Sequence, residues 1–382
     1  MRILFYAPFK PLGHPNPSGD LVIGTGLFEY LQRRGHVLAV PSTLRSRWIY
    51  WKPVRWPQVI RDRRRSARLS GRFAADLWLS YHPFYKAPDV LGPAVCRKTR
   101  LPYVIFQGAY ATKRRRDVRT VAGFHLNRRS LLAADHVFSN RRVDFENLAR
   151  IIPSARLTYV APGIVCREFT FDARAREELR SQWAVGSDPV VLSAAMFRPG
   201  VKTRGLSWVI RACGRLLRRG RRLLLVIAGE GRQREYLERL ARQHLGRRVR
   251  FVGKVPRARM RRFYSAGDLF AFPGFRESLG MVFLEAQACG LPVAAFAGGG
   301  IPEVVDAGNT GILTPPGDFE AFTAAVDTLV TDREMRRTLG RAAAVGVRRR
   351  HDLARNYAIV EQRLAQVVQQ APRTGGRKTV DS

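Results

Sequence analysis

VVLSAAM (190–196), RGLSWVIRACGRLLRRG (204–220), LLLVIAG (223–229), QREYLERLARQHL (233–245) and VRFVGKV (249–255) follow one another almost without a break. The first, third and fifth are short apolar runs of strand length. The second and fourth space their apolar residues for a helix. Gly220 can close the first helix. The alternation continues through the helical MRRFYSAG (260–267), the strand DLFAFPG (268–274), the helical MVFLEAQACG (281–290) and the strand LPVAAFAGG (291–299). Apolar strands separated by helices specify a doubly wound parallel sheet.

Towards the N-terminus the same pattern occurs, more loosely. RILFYA (2–7) reads as a strand, followed by a Pro/Gly loop, a helix from Asp20 to Arg34 and the strand HVLAV (36–40). Further apolar runs are DLWLSYH (76–82), YVIFQG (103–108), HVFSN (136–140) and LTYVAP (157–162). The pattern restarts after the charged stretch ELRSQWAVGSDP (178–189). The expectation is an α/β chain of two Rossmann-like domains, 1–184 and 185–351, facing across a cleft. DLARNYAIVEQRLAQVVQQ (352–370) reads as one helix crossing back to the first domain, and 371–382 as a disordered tail.

Composition narrows the function. The 382 residues are 46% hydrophobic, which excludes a disordered chain. Four scattered cysteines, with no CxxC pair, argue against a zinc site or disulfide framework and for a reducing compartment. No apolar run has transmembrane length, and MRILFYAPF lacks the shape of a signal peptide. The expected location is therefore cytoplasmic. The chain carries 67 Lys+Arg against 30 Asp+Glu, a formal +37, and only eight of the 67 are lysine. Such a surface attracts polyanions: nucleic acid, an anionic membrane or phosphorylated substrates.

Ligands of open α/β sheets sit at the carboxyl ends of the strands. After VVLSAAM comes FRPGVKTRG, with Arg198, Lys202 and Arg204 within seven residues, read as lying just before a helix. Basic groups there suit a phosphate or diphosphate; the plainer reading is a solvated basic loop. Glu285 lies inside the apolar helix MVFLEAQACG, where an unpaired carboxylate is costly. A ligand diol is one partner for it, and a structural salt bridge is the other. Glu277 precedes it by eight residues, in the loop that opens the helix. Gly280 would leave the N–H groups of Gly280, Met281 and Val282 free for an anion.

The E-x7-E spacing, Glu277-SLGMVFL-Glu285, resembles the retaining glycosyltransferases of family 4, nucleotide-sugar enzymes of the GT-B architecture. The resemblance extends over LLLVIAGEG…VRFVGKV…YSAGDLFAFPGFRESLGMVFLEAQACGLPVAAFAGGGIPEVVDAGNTGILTPPGD, and more loosely over MRILFYAP, the loop bearing Gly19 and LFEYLQRRGHVLAV. It implies that Glu285 binds the ribose hydroxyls and Glu277 the transferred sugar. The backbone at Gly280–Val282 would hold the diphosphate, Gly19 would face the donor, and Lys254 and Val255 would lie near the base. The family's arginine before a Lys-Gly pair is replaced here by Met196, with Arg204-Gly205 in place of Lys-Gly, so Arg198, Lys202 and Arg204 share the phosphate. The family's acceptor-side histidine is replaced by Gln107, with His82 and His125 as substitutes. The chain has no D-x-D motif, which fits metal-free catalysis without a cofactor. The implied reaction moves a sugar from a nucleotide-sugar donor to a hydroxyl acceptor with retained configuration.

One stretch falls outside that frame. SRWIYWKPVRWPQVIRDRRRSARLSGRF (46–73) sets Trp48, Trp51 and Trp56 beside a basic run with Arg63, Arg64 and Arg65. It suits an anionic membrane surface, and hence a peripheral location and a lipid-linked acceptor. The plainer reading puts the tryptophans in the core and the arginines on a solvated face. A nucleic-acid binder is the alternative that rests on charge alone, without a recognition motif. A sugar phosphorylase or a nucleotide-sugar hydrolase is the alternative on the same fold.

Overall fold

The computed structural model describes residues 1–14 and 19–371. They divide into two compact units, Met1–Val160 together with the chain from Tyr357, and Ala161–Asn356.

In the first unit, strands β1 (Arg2–Tyr6), β2 (Val37–Ala39), β3 (Leu77–Tyr81), β4 (Tyr103–Phe106), β5 (His136–Ser139) and β6 (Leu157–Tyr159) form one sheet in the order β2-β1-β3-β4-β5-β6. Every pairing is parallel. Helices α1 (Gly19–Arg33), α2 (Trp56–Arg72), α3 (Gly92–Thr99), α4 (Val121–Ala133) and α5 (Arg142–Ala149) connect the strands. The central strands are buried along their whole length, as parallel strands covered on both faces must be.

The second unit opens with α6 (Ala173–Gln182). Its sheet contains β7 (Val190–Ala194), β8 (Leu224–Ala228), β9 (Val249–Phe251), β10 (Leu269–Ala271), β11 (Val293–Phe296) and β12 (Gly311–Thr314), ordered β12-β11-β10-β7-β8-β9. Its helices are α7 (Val201–Arg218), α8 (Arg234–Leu245), α9 (Arg257–Ser265), α10 (Met281–Ala288), α11 (Phe319–Thr331) and α12 (Arg333–Arg350). From β7 the chain winds outward through β8 and β9, then returns to pair β10 with the other side of β7. This is the dinucleotide-fold order, with its switch point between β7 and β10.

Two boundaries differ from expectation. The stretch before 185 is not the end of the first domain, because α6 is riveted to the second unit. Arg176 Nη2 lies 2.6 Å from Asp268 Oδ1, and Arg180 Nη1 2.8 Å from Asp268 Oδ2. Burial alone would raise the Asp268 pKa; Arg176, the Val190 N–H and Arg180 together hold it below the usual range. The helix read from 204 begins at Val201, so Lys202 and Arg204 ride on its first turn rather than in a loop. The final helix, α13 (Leu353–Gln370), packs on the first unit from Tyr357 onward. The Tyr357 hydroxyl donates to Ile23 O, and Glu361 accepts from Tyr30 and Arg34. The tail expected at 371–382 falls, from residue 372 on, outside the described residues.

Candidate functional site

The carboxyl ends of β7 and β10 lead into the loops 195–200 and 272–280. Three features shape them. Gly205 lets α7 settle on Phe272, since a Cβ there would lie 2.7 Å from its ring. This close approach brings the first turn of α7 over the 272–280 loop. Gly299 and Gly300, after β11, lie flat on that same loop: a Cβ would meet Glu277 O at 2.1 Å and Ser278 O at 1.9 Å. Gly280 takes the left-handed conformation (φ 66°) at the N-cap of α10, and no side chain caps that helix. Its first-turn N–H groups therefore form a ready anion site.

Lys202 and Glu277 meet here. Lys202 Nζ lies 2.5 Å from Glu277 Oε2, with 30% and 19% of their side chains exposed. Ser278 N donates to the other oxygen of Glu277 (3.3 Å). The Lys202 ammonium also stands 5.3 Å from the centre of the Phe272 ring. The other two basic residues are placed apart. The Arg204 guanidinium stacks on Phe275 (4.4 Å) and Trp208 (5.8 Å). Arg198 is exposed, with Nη2 2.8 Å from Met196 Sδ. The three do not share one position; Lys202 alone of them pairs with Glu277.

Glu285 is 7% exposed. Its partners are internal: Arg257 Nη1 at 2.8 Å from Oε1, and the Tyr264 hydroxyl, which donates to Oε2 at 3.1 Å. Burial pushes the Glu285 carboxyl above the usual range, against the pull of Arg257 and Tyr264. Glu285 is thus satisfied by a salt bridge and a hydroxyl, without need of a ligand diol. A carboxylate offers about four lone-pair sites, so two contacts leave room for hydroxyls. Sequence reasoning missed Arg257, one of four arginines in PRARMRR whose facing the sequence does not separate. Its guanidinium lies 5.1 Å from the Phe169 ring and 3.6 Å from Glu168. Lys254 and Val255 lie in the loop after β9, the first exposed and the second half-buried.

In the first unit, His82 and Gln107 follow β3 and β4, both with positive φ (56° and 61°). His82 N donates to Phe106 O at 2.8 Å, which ties the two strand ends together. The His82 ring packs on Phe9 and Phe84. Gln107 is 5% exposed, and its Oε1 has no hydrogen-bond partner among the described residues. Asn140, after β5, is 3% exposed and its Oδ1 is likewise unpartnered. Sequence reading missed Asn140, although it stands at the same step after its strand as Gln107. His125 is not with them: it is exposed on α4, its ring against Phe124. Gly19 begins α1 with open space where a Cβ would project.

The tryptophans divide. Trp48 is half-buried against Tyr50 and Tyr85. Trp56 packs on the core of the first unit. Trp51 is 58% exposed, its Nε1 donating to Arg119 O, which joins the two basic segments 46–73 and 113–119. Val54 and Val118 are 90% and 78% exposed. Arg64 and Arg65 are exposed on α2. Arg63 is not a free surface charge: its Nε donates to Val90 O at 2.8 Å, and burial lowers its pKa. No described helix is long and apolar enough to cross a membrane, and all four cysteines are buried and free.

Residues 175–345 match the family model of glycosyl transferases group 1. The second unit is a group 1 glycosyl transferase domain. The chain is 36% identical over 207 residues to the GDP-mannose-dependent α-(1-6)-phosphatidylinositol monomannoside mannosyltransferase of Mycolicibacterium smegmatis, covering 52% of each chain. It is 33% identical over 225 residues to the D-inositol 3-phosphate glycosyltransferase of Kribbella flavida, covering 55% of this chain and 52% of that one. The matches thus span about half the length of these curated relatives. In structure, the sucrose-phosphate synthase of Thermosynechococcus elongatus aligns over 97% of this chain and 100% of its own, at TM-score 0.74 and 19% identity. Anabaena HepE in complex with UDP aligns over 96% and 100%, at TM-score 0.75 and 18% identity. These last two show the fold alone, that of two Rossmann-like units.

Proposed function

We propose that this chain transfers a sugar from a nucleotide-sugar donor to a hydroxyl of a lipid-linked acceptor, with retained anomeric configuration and without a metal ion. The observation that carries the reading is the Lys202–Glu277 pair beside the uncapped start of α10. The donor diphosphate binds the N–H groups of Gly280, Met281 and Val282, and Lys202 neutralises the charge that develops as the glycosidic bond breaks. Preorganised charge of this kind supplies about 3–4 kcal/mol in the transition state. Glu277 holds the sugar hydroxyls and keeps Lys202 in place. Glu285 accepts the ribose hydroxyls on the lone pairs that Arg257 and Tyr264 leave open. The acceptor oxygen attacks on the face from which the diphosphate departs, and a phosphate oxygen takes the acceptor's proton.

Gln107 and Asn140 offer buried amide oxygens to acceptor hydroxyls, and an unmet buried acceptor is expensive to maintain otherwise. The exposed Trp51, Val54 and Val118, with Arg64 and Arg65 on the neighbouring α2, would bring the first unit to an anionic membrane. The relatives named for phosphatidylinositol mannoside and inositol phosphate support an acceptor of that chemistry. The test is to incubate the protein with GDP- and UDP-sugars and anionic vesicles that carry a glycolipid acceptor, in EDTA. Transfer to lipid supports the reading. Strict need for added Mg²⁺ or Mn²⁺ removes the metal-free mechanism. Sugar released only to water, or only to inorganic phosphate, replaces transfer with hydrolysis or phosphorolysis.

A further inference from the structure

The second unit has a cavity of about 840 Å³ at the amino ends of its strands. Its walls include Pro189, Asp268 and Leu291, which stand at the amino ends of β7, β10 and β11. It is therefore at the opposite end of these strands from the loops that hold Lys202 and Glu277. Seven arginines line it against a single carboxylate, a formal charge of +6.

The arginines are of two kinds. Arg176, Arg180 and Arg336 are structural. The first two clasp Asp268, and Arg336 donates to Leu329 O and Val330 O. The others come from α12. Arg333, Arg337 and Arg341 stand four residues apart on one face of the helix, with Arg348 further along. Gly340 and Ala344 lie on the same wall, and Gly340 lets α12 pack closely on Gly290, since a Cβ there would lie 2.2 Å from Gly290 O. Arg333 and Arg337 have no hydrogen-bond or ion-pair partner among the described residues. Arg341 has only a 3.8 Å contact with Glu334, with both side chains 75% exposed.

This arrangement is unfavourable to the free protein. Like charges four apart on a helix repel. Arg333 also sets a cation on the first residue of α12, against the helix dipole. Asp268 cannot relieve them, because Arg176, Arg180 and the Val190 N–H already occupy it. A concave wall of unpaired guanidiniums is instead matched to adjacent phosphates, each able to take a forked pair of N–H donors. Guanidiniums gathered on one concave wall suit a compact polyanion better than the long, extended contact of a nucleic acid.

We propose that this cavity is a second anion site, one that binds a ligand carrying two or more adjacent phosphates, through Arg333, Arg337 and Arg341. The ligand is a free oligophosphate or the headgroup of a multiply phosphorylated lipid. The site is separate from the donor's diphosphate site, and it stands whether or not that reading holds.

Inorganic tripolyphosphate is the probe, read by thermal shift and titration calorimetry on the full chain. Wild type, Lys202→Ala and the double variant Arg333→Ser, Arg337→Ser are compared. The expected result is a tripolyphosphate shift that survives Lys202→Ala, with affinity falling at least about tenfold in the double variant as two charge-assisted contacts are lost. Without ligand, the double variant should melt no lower than wild type, because repulsion has been relieved. Arg337→Gln alone should show an intermediate loss. Vesicles bearing a bisphosphorylated phosphoinositide, bound only when Arg333 and Arg337 are present and more tightly than tripolyphosphate, would assign the ligand to the membrane. Tighter binding of tripolyphosphate would assign it to solution. A shift lost in Lys202→Ala and kept in the double variant overturns the proposal. So does the absence of any shift, or binding of a 20-nucleotide single-stranded DNA that tripolyphosphate does not displace.

Discussion

The two units solve the same folding problem and furnish the result differently. Each is a six-stranded parallel sheet whose strand order reverses once, between β1 and β3 in the first and between β7 and β10 in the second. At the carboxyl ends in the second unit stand two ion pairs, Lys202 with Glu277 and Arg257 with Glu285, and Gly299 and Gly300 press their backbone on the Glu277 loop. At the carboxyl ends in the first unit stand the neutral side chains of Gln107 and Asn140 and the ring of His82, with one ion pair beside them, Arg141 with Asp144. Gln107 and Asn140 keep buried oxygens without a partner among the described residues. Lysine and free helix N–H groups suit a diphosphate, and unmet amide oxygens suit hydroxyls. On the function proposed above, the donor belongs to the second unit and the acceptor to the first.

The largest expected effect comes from Lys202. Lys202→Ala should lower kcat about 100- to 1000-fold, the usual consequence of losing one preorganised charge. Arg204→Ala, which removes a guanidinium parked on Phe275 and Trp208, should cost far less. If the two variants lose activity equally, the special place of Lys202 is gone.

Next comes the surface of the first unit. Reversing Arg64 and Arg65 to glutamate should weaken binding to anionic vesicles by about tenfold or more, at ~1 kcal/mol per basic residue, and salt should weaken the wild type in the same direction. Nucleotide affinity should not change. Arg63→Glu should instead lower the melting temperature, because Arg63 holds Val90 O. Unchanged sedimentation of the Arg64→Glu, Arg65→Glu variant with vesicles would detach this surface from membranes.

Arg257→Met leaves Glu285 buried without its cation. The second unit should lose about 1–3 kcal/mol near neutral pH, the range for a lost bond to a charged group. The loss should shrink in acid, because a protonated Glu285 needs no counter-charge. A loss independent of pH would mean that Arg257 acts through packing on Phe169.

The smallest effect separates the units by pH. Burial, with a contribution from Arg363, lowers the His136 pKa from 6.5 to about 4. Its ring is held neutral in β5, with Nε2 2.9 Å from Thr158 Oγ1. The unfolded chain takes up this proton first, so the stability it supports is complete above ~6.5 and fades as pH falls towards about 4. His136→Gln should flatten that limb of the melting profile by ~1–2 kcal/mol. An unaltered slope would place the acid sensitivity elsewhere.

The legibility of these features in the sequence follows their distance along the chain. The alternation from Val190 to Phe296 could be read because each strand and helix declares its own period. Glu277, Gly280 and Glu285 could be read together because one loop and one helix hold all three. Arg198, Lys202 and Arg204 could not be told apart, since starting α7 at Val201 rather than at 204 changes which of them faces Glu277. Arg257 reaches Glu285 across 28 residues, and α6 is claimed by Asp268 nearly ninety residues on; no local pattern announces either. Arg63 reads as one of a basic run until Val90 is seen to accept its N–H. The tryptophans divide by tertiary packing, which their shared segment does not reveal.

The division of labour between the units is tested most directly by calorimetric titration of nucleoside diphosphates and their sugar conjugates into wild type, Lys202→Ala and Gln107→Ala, each also assayed for transfer. The account predicts that Lys202→Ala weakens donor binding and transfer together. Gln107→Ala should bind the donor as wild type does and transfer its sugar slowly. Donor affinity lost on changing Gln107 and kept on changing Lys202 would contradict it.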